Sequence, residues 1–131
     1  MNIQKGNFYF IDDEFFRKVD DQYLKCNYTT TKRPHYFAFK DEISGLFWLV
    51  PCSSKVDKFK NLIQNREKQG KKTKSIKIIK VQNKESVLLF QDMFPISNKY
   101  ISEQYIRNGQ PVRIINLHSL HDPSPRKSRF I

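Results

Sequence analysis

Leu46-Phe47-Trp48-Leu49-Val50-Pro51-Cys52-Ser53-Ser54-Lys55 carries the chain from one pattern of hydrophobicity into another. Its first five residues form an unbroken apolar run, rich in aromatic and β-branched side chains, which reads as a buried strand over 46–50. Pro51 cannot donate to a ladder and is expected to end that strand. From Val56 the spacing changes: Val56, Phe59, Leu62 and Ile63 recur at helical intervals, with Lys58, Lys60, Asn61 and Gln64 on the opposite side. Gly70 fits the residue just past the helix end. Ser54 is the expected N-cap, and Asp57, three residues on, resembles half of a capping box. A helix start with Ser53, Ser54 and the Lys55 ammonium beside it is a chemically sensible seat for a phosphate. The plain alternative is that Ser54 only caps and Lys55 is a solvated charge.

Working outward, 35–40 (His-Tyr-Phe-Ala-Phe-Lys) reads as an aromatic strand after Pro34, turned back by 41–45 into the strand at 46. His35, Phe37 and Phe39 should share one face and Tyr36, Ala38 and Lys40 the other. Upstream, 7–11 reads as a first strand. Asp12 or Asp13 then caps a short helix with Phe15, Phe16, Val19 and Tyr23 on one face. Residues 27–33 fit either a loop or extended chain. Downstream, 75–81 and 86–90 read as strands joined by a turn at 82–85, and Phe94-Pro95 should break the second of them. A weak helix over 98–106, an Asn108-Gly109 turn and a strand over 112–115 follow. The tail from 122, with Pro123 and Pro125 among Arg126, Lys127 and Arg129, is expected to be mobile or to order only on a partner. The pattern predicts a single α+β domain over 1–131, built on a compact, strongly bent antiparallel sheet or partial barrel with added helices.

The chain of 131 residues holds 24 Lys and Arg against 13 Asp and Glu, a formal net charge of +11. That imbalance points to a polyanionic partner, nucleic acid or an acidic membrane surface. It is uneven, because 1–21 contains Asp12, Asp13, Glu14, Asp20 and Asp21 against Lys5, Arg17 and Lys18. Residues 68–80 contain Lys68, Lys71, Lys72, Lys74, Lys77 and Lys80 and no acid. Such density suits contact with a nucleic-acid backbone, although a solvated loop would look similar. No signal-peptide pattern or membrane-spanning run is evident, so a soluble, intracellular protein is expected. Cys26 and Cys52 form neither a disulfide framework nor a zinc pattern. His118-x-x-His121 lacks the Glu of a zincin, and no glycine-rich phosphate loop exists, so no metal or cofactor is expected.

Cleavage of RNA needs no cofactor. The substrate carries its own nucleophile, the 2′-hydroxyl, so a protein must align it, neutralise the phosphorane and move two protons. Lys55 could stabilise charge, Ser53 and Ser54 could position the phosphate, and His35 could transfer a proton. The alternative for His35 is that it packs or hydrogen-bonds at a strand start. Tyr28 and Tyr36 are candidates for stacking on bases, as is Phe37, though aromatics at strand spacing also build cores.

Three stretches resemble the RNA-neutralised endoribonuclease toxins of type III toxin-antitoxin systems, the ToxN/AbiQ group, and in particular its CptN/TenpN branch. They are Lys32-Arg33-Pro34-His35-Tyr36-Phe37, then Phe47-Trp48-Leu49-Val50-Pro51-Cys52-Ser53-Ser54-Lys55-Val56-Asp57-Lys58-Phe59, then Gln91-Asp92-Met93-Phe94-Pro95-Ile96, with Pro111-Val112-Arg113-Ile114 behind. The resemblance implies a fold like the MazF/Kid toxins, metal-independent cleavage leaving a 2′,3′-cyclic phosphate, and a bacterial cytoplasmic setting. It implies cellular or phage RNA as substrate, and inhibition by a small structured repeat RNA that closes with the protein into a ring. The group's hydroxyl-x-Lys element falls on Ser53-Ser54-Lys55, and its basic residue after the earlier proline falls on His35. Where some members carry Thr-Ser before the element's end, this chain has Cys52 and Ser53. Arg33 and Arg113, with the lysines of 68–80, are the expected RNA-backbone contacts. The rivals are a non-catalytic RNA-binding module and a small DNA-binding regulator, the latter disfavoured by the lack of a helix-turn-helix pattern.

Overall fold

A strand that changes partners halfway along organises the molecule. The computed structural model describes residues 3–19, 32–81 and 83–114. Its elements run β1 (Phe8–Ile11), α1 (Asp13–Val19), β2 (His35–Lys40), β3 (Phe47–Ser53), α2 (Val56–Lys68), β4 (Ile76–Val81), β5 (Lys84–Leu89), β6 (Phe94–Ile96), β7 (Ile101–Gln104), β8 (Ile106–Arg107) and β9 (Gln110–Pro111). Single 3-10 turns occupy Phe90–Asp92 and Asn98–Tyr100.

β2 and β3 form the expected hairpin. The Asp41 carboxylate accepts bonds from the Ile43 amide at 3.0 Å and the Ser44 hydroxyl at 2.9 Å, which fold the tip. Those two donors hold the Asp41 carboxyl below its ordinary value, the Ile43 amide contributing most. Gly45 takes φ +76, the left-handed conformation that closes the tip and that residues with a Cβ adopt only with strain. The first half of β3 pairs with β2 on one side and β6 on the other, with Leu49 opposite both Phe37 and Phe94. Its end then pairs with β5, Cys52 opposite Leu88 and Ser53 opposite Val87.

Pro51 therefore sits inside the strand instead of ending it. It lies opposite His35, at the point where β3 passes from one set of neighbours to the other, so the missing N–H falls at the changeover. Pairing resumes at once, with the Cys52 amide donating to the Pro34 carbonyl at 3.1 Å.

The sheet has seven antiparallel strands in the order β4-β5-β3-β2-β1-β7, with β6 added on β3, and it curls strongly without closing. This bears out the α+β class and the bent antiparallel sheet. One face carries Tyr9, Ile11, Phe37, Leu49 and Phe94, covered by Phe15 of α1. The opposite face carries Phe8, Tyr36, Val50, Cys52 and Leu88, covered by Val112 and Ile114. The β4–β5 hairpin also buries Ile76, Val87 and Leu89 against Phe59 of α2, whose Leu62 and Ile63 pack beside it as the helical spacing requires. Gly70, at φ +75, ends α2 by a Schellman motif in which Gly70 N–H donates to Glu67 O and Lys71 N–H to Arg66 O, both at 2.9 Å.

Other expectations are corrected. His35 and Phe37 do share a face, but the β2–β3 register shifts between Phe37 and Phe39, and Phe39 instead stacks on Trp48 at 5.8 Å. Phe94-Pro95 does not merely break a strand; the 3-10 turn at Phe90–Asp92 does so, and Phe94–Ile96 forms β6 with exposed Pro95 opposite Trp48. The 98–106 segment is helical only for one 3-10 turn and then becomes β7, because pairing with β1 satisfies its backbone and buries Ile101. The Asn108-Gly109 turn forms, at φ 53 and 75, but it joins β8 to β9 and the strand stops at Pro111. Tyr23, most of 27–33 and the tail from 122 lie outside the described residues.

Candidate nucleic-acid interface at the strand-helix junction

At the end of β3 the chain reverses direction through its own serines. The Lys55 amide donates to the Ser53 hydroxyl at 3.2 Å and the Val56 amide to the Ser54 carbonyl at 2.9 Å, which launches α2. The N-cap is Lys55, not Ser54, and no side chain caps the helix, so Asp57 completes no capping box. The expected cap was displaced because the Ser53 hydroxyl already holds the turn. The first-turn amides of α2 thus keep their partial positive charge without a side-chain partner. Ser54 and Lys55 are exposed beside them, while Ser53 is buried.

The junction is braced from both sides. Ser86 of β5 donates its hydroxyl to the Ser53 carbonyl at 3.3 Å. The Arg33 guanidinium donates to the Cys52 carbonyl, and the Arg33 carbonyl accepts from His35 Nδ1 at 2.9 Å. Burial pushes the Cys52 thiol up to about 12, so it remains a neutral thiol.

Beside the junction lies a pocket of about 160 Å³. Phe8, Pro34, Val81 and Val112 supply apolar lining, and Cys52, Ser53 and Ser54 come from the junction itself. Lys84, Glu85, Ser86, Tyr105 and Arg107 complete it. The sequence reading missed these last residues. They flank the Asn83 and Asn108-Gly109 turns, and only the fold of β5 and the β8–β9 hairpin brings them to the serines. A charged residue beside each turn was the available signal.

The structure separates the residues expected to act together. Ser53 and Ser54 line the pocket, Lys55 follows them in the chain, and Arg33 bonds the Cys52 carbonyl just before them. His35 lies apart: it is 0% exposed, its ring is boxed by Phe94 at 5.6 Å and Phe16 at 6.3 Å, and it shares the sheet face of Phe37. The pocket opens on the face of Phe8 and Cys52. Burial drops the imidazole from its usual value to about 3, so it stays neutral, and its assignment to proton transfer is corrected on grounds of access. Tyr36 is likewise buried at 9% exposure, edge-on to Phe8 at 5.4 Å, so it is a core residue and not a platform for bases. Phe37 is buried too. Tyr28, His118 and His121 lie outside the described residues.

The basic segment leads to this pocket. Lys68 ends α2, where a cation also suits the helix dipole. Lys71, Lys72 and Lys74 follow it in an exposed loop. Lys77 and Lys80 lie on β4, the outer strand of the sheet, where lysines also guard a free edge. Val81, the next residue, lines the pocket. Exposed Arg113 adjoins Val112 of the lining. Among the described residues no helix is long and apolar enough to cross a membrane.

The fold and the site thus define a small α+β domain with a basic-rimmed pocket at a strand-helix junction. No protein-family model matches the chain, and no curated protein matches it.

Proposed function

We propose that this protein is a metal-independent endoribonuclease toxin of the type III toxin-antitoxin kind, cutting cellular or phage RNA in the bacterial cytoplasm and neutralised by a small structured antitoxin RNA. The observation that carries the proposal is the convergence at one pocket of Ser53, Ser54, Lys84 and Arg107, with exposed Lys55 next in the chain and an uncapped helix start beside it. In the reaction the 2′-hydroxyl gives its proton to solvent water as its oxygen bonds to the adjacent phosphorus, the bond to the 5′-oxygen breaks, that oxygen takes up a proton, and a 2′,3′-cyclic phosphate and a 5′-hydroxyl result. The phosphorane between them carries extra negative charge, and donors fixed in advance around it lower the barrier. Lys55 supplies a full charge there and holds a proton that the departing 5′-oxygen can take. The Ser54 hydroxyl, exposed as Ser53 is not, is the better placed to bind the phosphate.

RNA-free protein incubated with mixed RNA in excess EDTA should leave fragments ending in cyclic phosphate. Intact RNA with binding retained would overturn the nuclease reading and favour the rival, a non-catalytic RNA-binding module. That rival draws support from the sealing of His35 away from the junction.

The lysines of 68–80, with Arg33 and Arg113, are proposed as contacts for the antitoxin RNA. Replacing exposed Lys71 and Lys72 with Glu should weaken binding and flatten its salt dependence, each lost phosphate contact reducing the log-log slope by about 0.7. Affinities measured from low to high salt provide the check, and an unchanged slope would remove the segment from the interface.

A further inference from the structure

Two halves of the site hang on different elements. Ser54, Lys55 and the first turn of α2 lead away from the end of β3, whereas Lys84 belongs to β5. β3 and β5 are in register at Cys52 with Leu88 and at Ser53 with Val87, so the next rung would set Ser54 opposite Ser86. That rung does not form, because β3 ends at Ser53 and the chain turns into α2. In its place the Ser86 hydroxyl donates to the Ser53 carbonyl at 3.3 Å. A side chain thus holds the last residue of β3 and leaves the backbone beyond it free to change direction. On the other flank the Arg33 guanidinium holds the Cys52 carbonyl in the same way. Ser86 is half-buried in the pocket wall, and strand alternation puts it on the same face of β5 as Lys84. The bond therefore ties the serine turn to the strand that carries the lysine.

We propose that Ser86 is a positioning residue of the phosphate site, its hydroxyl fixing the Ser53 carbonyl and, through it, the placing of Ser54 and Lys55 against a bound RNA phosphate. The proposal rests on the RNA reading of the junction and adds what aligns it. Ser86 does not itself give a proton to substrate, because a hydroxyl has one and this one is committed to the Ser53 carbonyl. Its effect on cleavage belongs in kcat, since an error of about 1 Å in a reacting group costs as much as 10²-fold in rate. Affinity for a long RNA is spread over many lysines, so KM should hold.

Ser86→Val and Ser86→Thr in the full-length protein decide it, since both side chains are β-branched and suit a strand, while only threonine keeps the hydroxyl. Ser86→Val should lower kcat by about 10- to 100-fold with KM within about twofold, and Ser86→Thr should cut within about threefold of the native rate. Equal rates in the two variants overturn the proposal, as does a fall in Ser86→Val that its smaller folded fraction explains. A second readout needs no cleavage. Inorganic phosphate is titrated while the Val56 and Asp57 amides are followed by NMR, and the native protein and Ser86→Thr should bind it several-fold more tightly than Ser86→Val. If the native protein cuts RNA and the two variants cut alike, the positioning role falls and the nuclease reading stands. If the native protein leaves RNA intact, the nuclease reading falls and the phosphate titration decides the positioning role alone. The expected order then sustains it, and equal affinities end it.

Discussion

If the proposed nuclease activity holds, Lys55→Ala should lower the rate of RNA cleavage by about 10²- to 10³-fold, the cost typical of losing one fixed donor to a developing oxyanion. Stability should change by less than about 0.5 kcal/mol, because the Lys55 side chain is exposed and caps nothing. What holds the turn is the Lys55 backbone amide on the Ser53 hydroxyl, and alanine keeps that amide. The two readouts together make the result specific, since a fall in rate with an unchanged denaturation midpoint cannot come from unfolding. Lys55→Arg should recover part of the rate, having the charge but a wider, planar head. An alanine variant that cuts at the native rate would show that Lys84 and Arg107 suffice and that Lys55 is a solvated surface charge.

Acid destabilises the fold through His35. In the unfolded chain its imidazole titrates near 6.5, while in the native core it titrates at about 3, because burial disfavours the cation. A depressed native value means that the unfolded state binds the proton first. The stabilisation is therefore complete above about pH 6.5 and is lost as the pH falls toward 3. The loss is about 2 kcal/mol by pH 5 and about 4 to 5 kcal/mol by pH 3, a large part of the stability of a domain this size. Denaturant titrations across that range measure it. His35→Phe, which keeps an aromatic ring between Phe16 and Phe94, should flatten the dependence between pH 4 and 6.5 relative to the native chain. Asp41, with its lowered carboxyl value, adds its own loss only below the usual carboxylate range. If native and variant proteins lose stability in parallel over that window, His35 is not the sensor. The same sealing predicts that no limb of a pH-rate profile near neutrality belongs to His35.

The strands and α2 were legible where local pattern and tertiary demand coincide. The apolar run before Ser54, the helical spacing of Val56, Phe59, Leu62 and Ile63, and the left-handed positions at Gly45, Gly70 and Asn108-Gly109 all mark what formed. Pattern failed where a partner strand overrode it. Pro51 and Pro95 read as breakers, but each sits in a strand with a neighbour that tolerates the missing donor. The segment after Asn98 read as helix, but β1 offered it a ladder.

For the site, the sequence by itself determined the chemistry on offer: an excess of positive charge, two hydroxyls and a lysine where an apolar strand meets an amphipathic helix. Those are properties of composition and of neighbours along the chain, and local reasoning reaches them. Only the tertiary structure decided which groups meet. It turned His35 and Tyr36 into core residues, because β1 and β3 pair with the two edges of β2 while Phe16 and Phe94 pack over His35 on one face and the Phe8 cluster packs over Tyr36 on the other. It also carried Lys84, Tyr105 and Arg107 to Ser54 from distant positions in the chain. Strand alternation says that neighbouring side chains point to opposite faces. Which face is sealed and which lines a pocket depends on what packs against each, and that is settled by long-range pairing, on which the local pattern is silent.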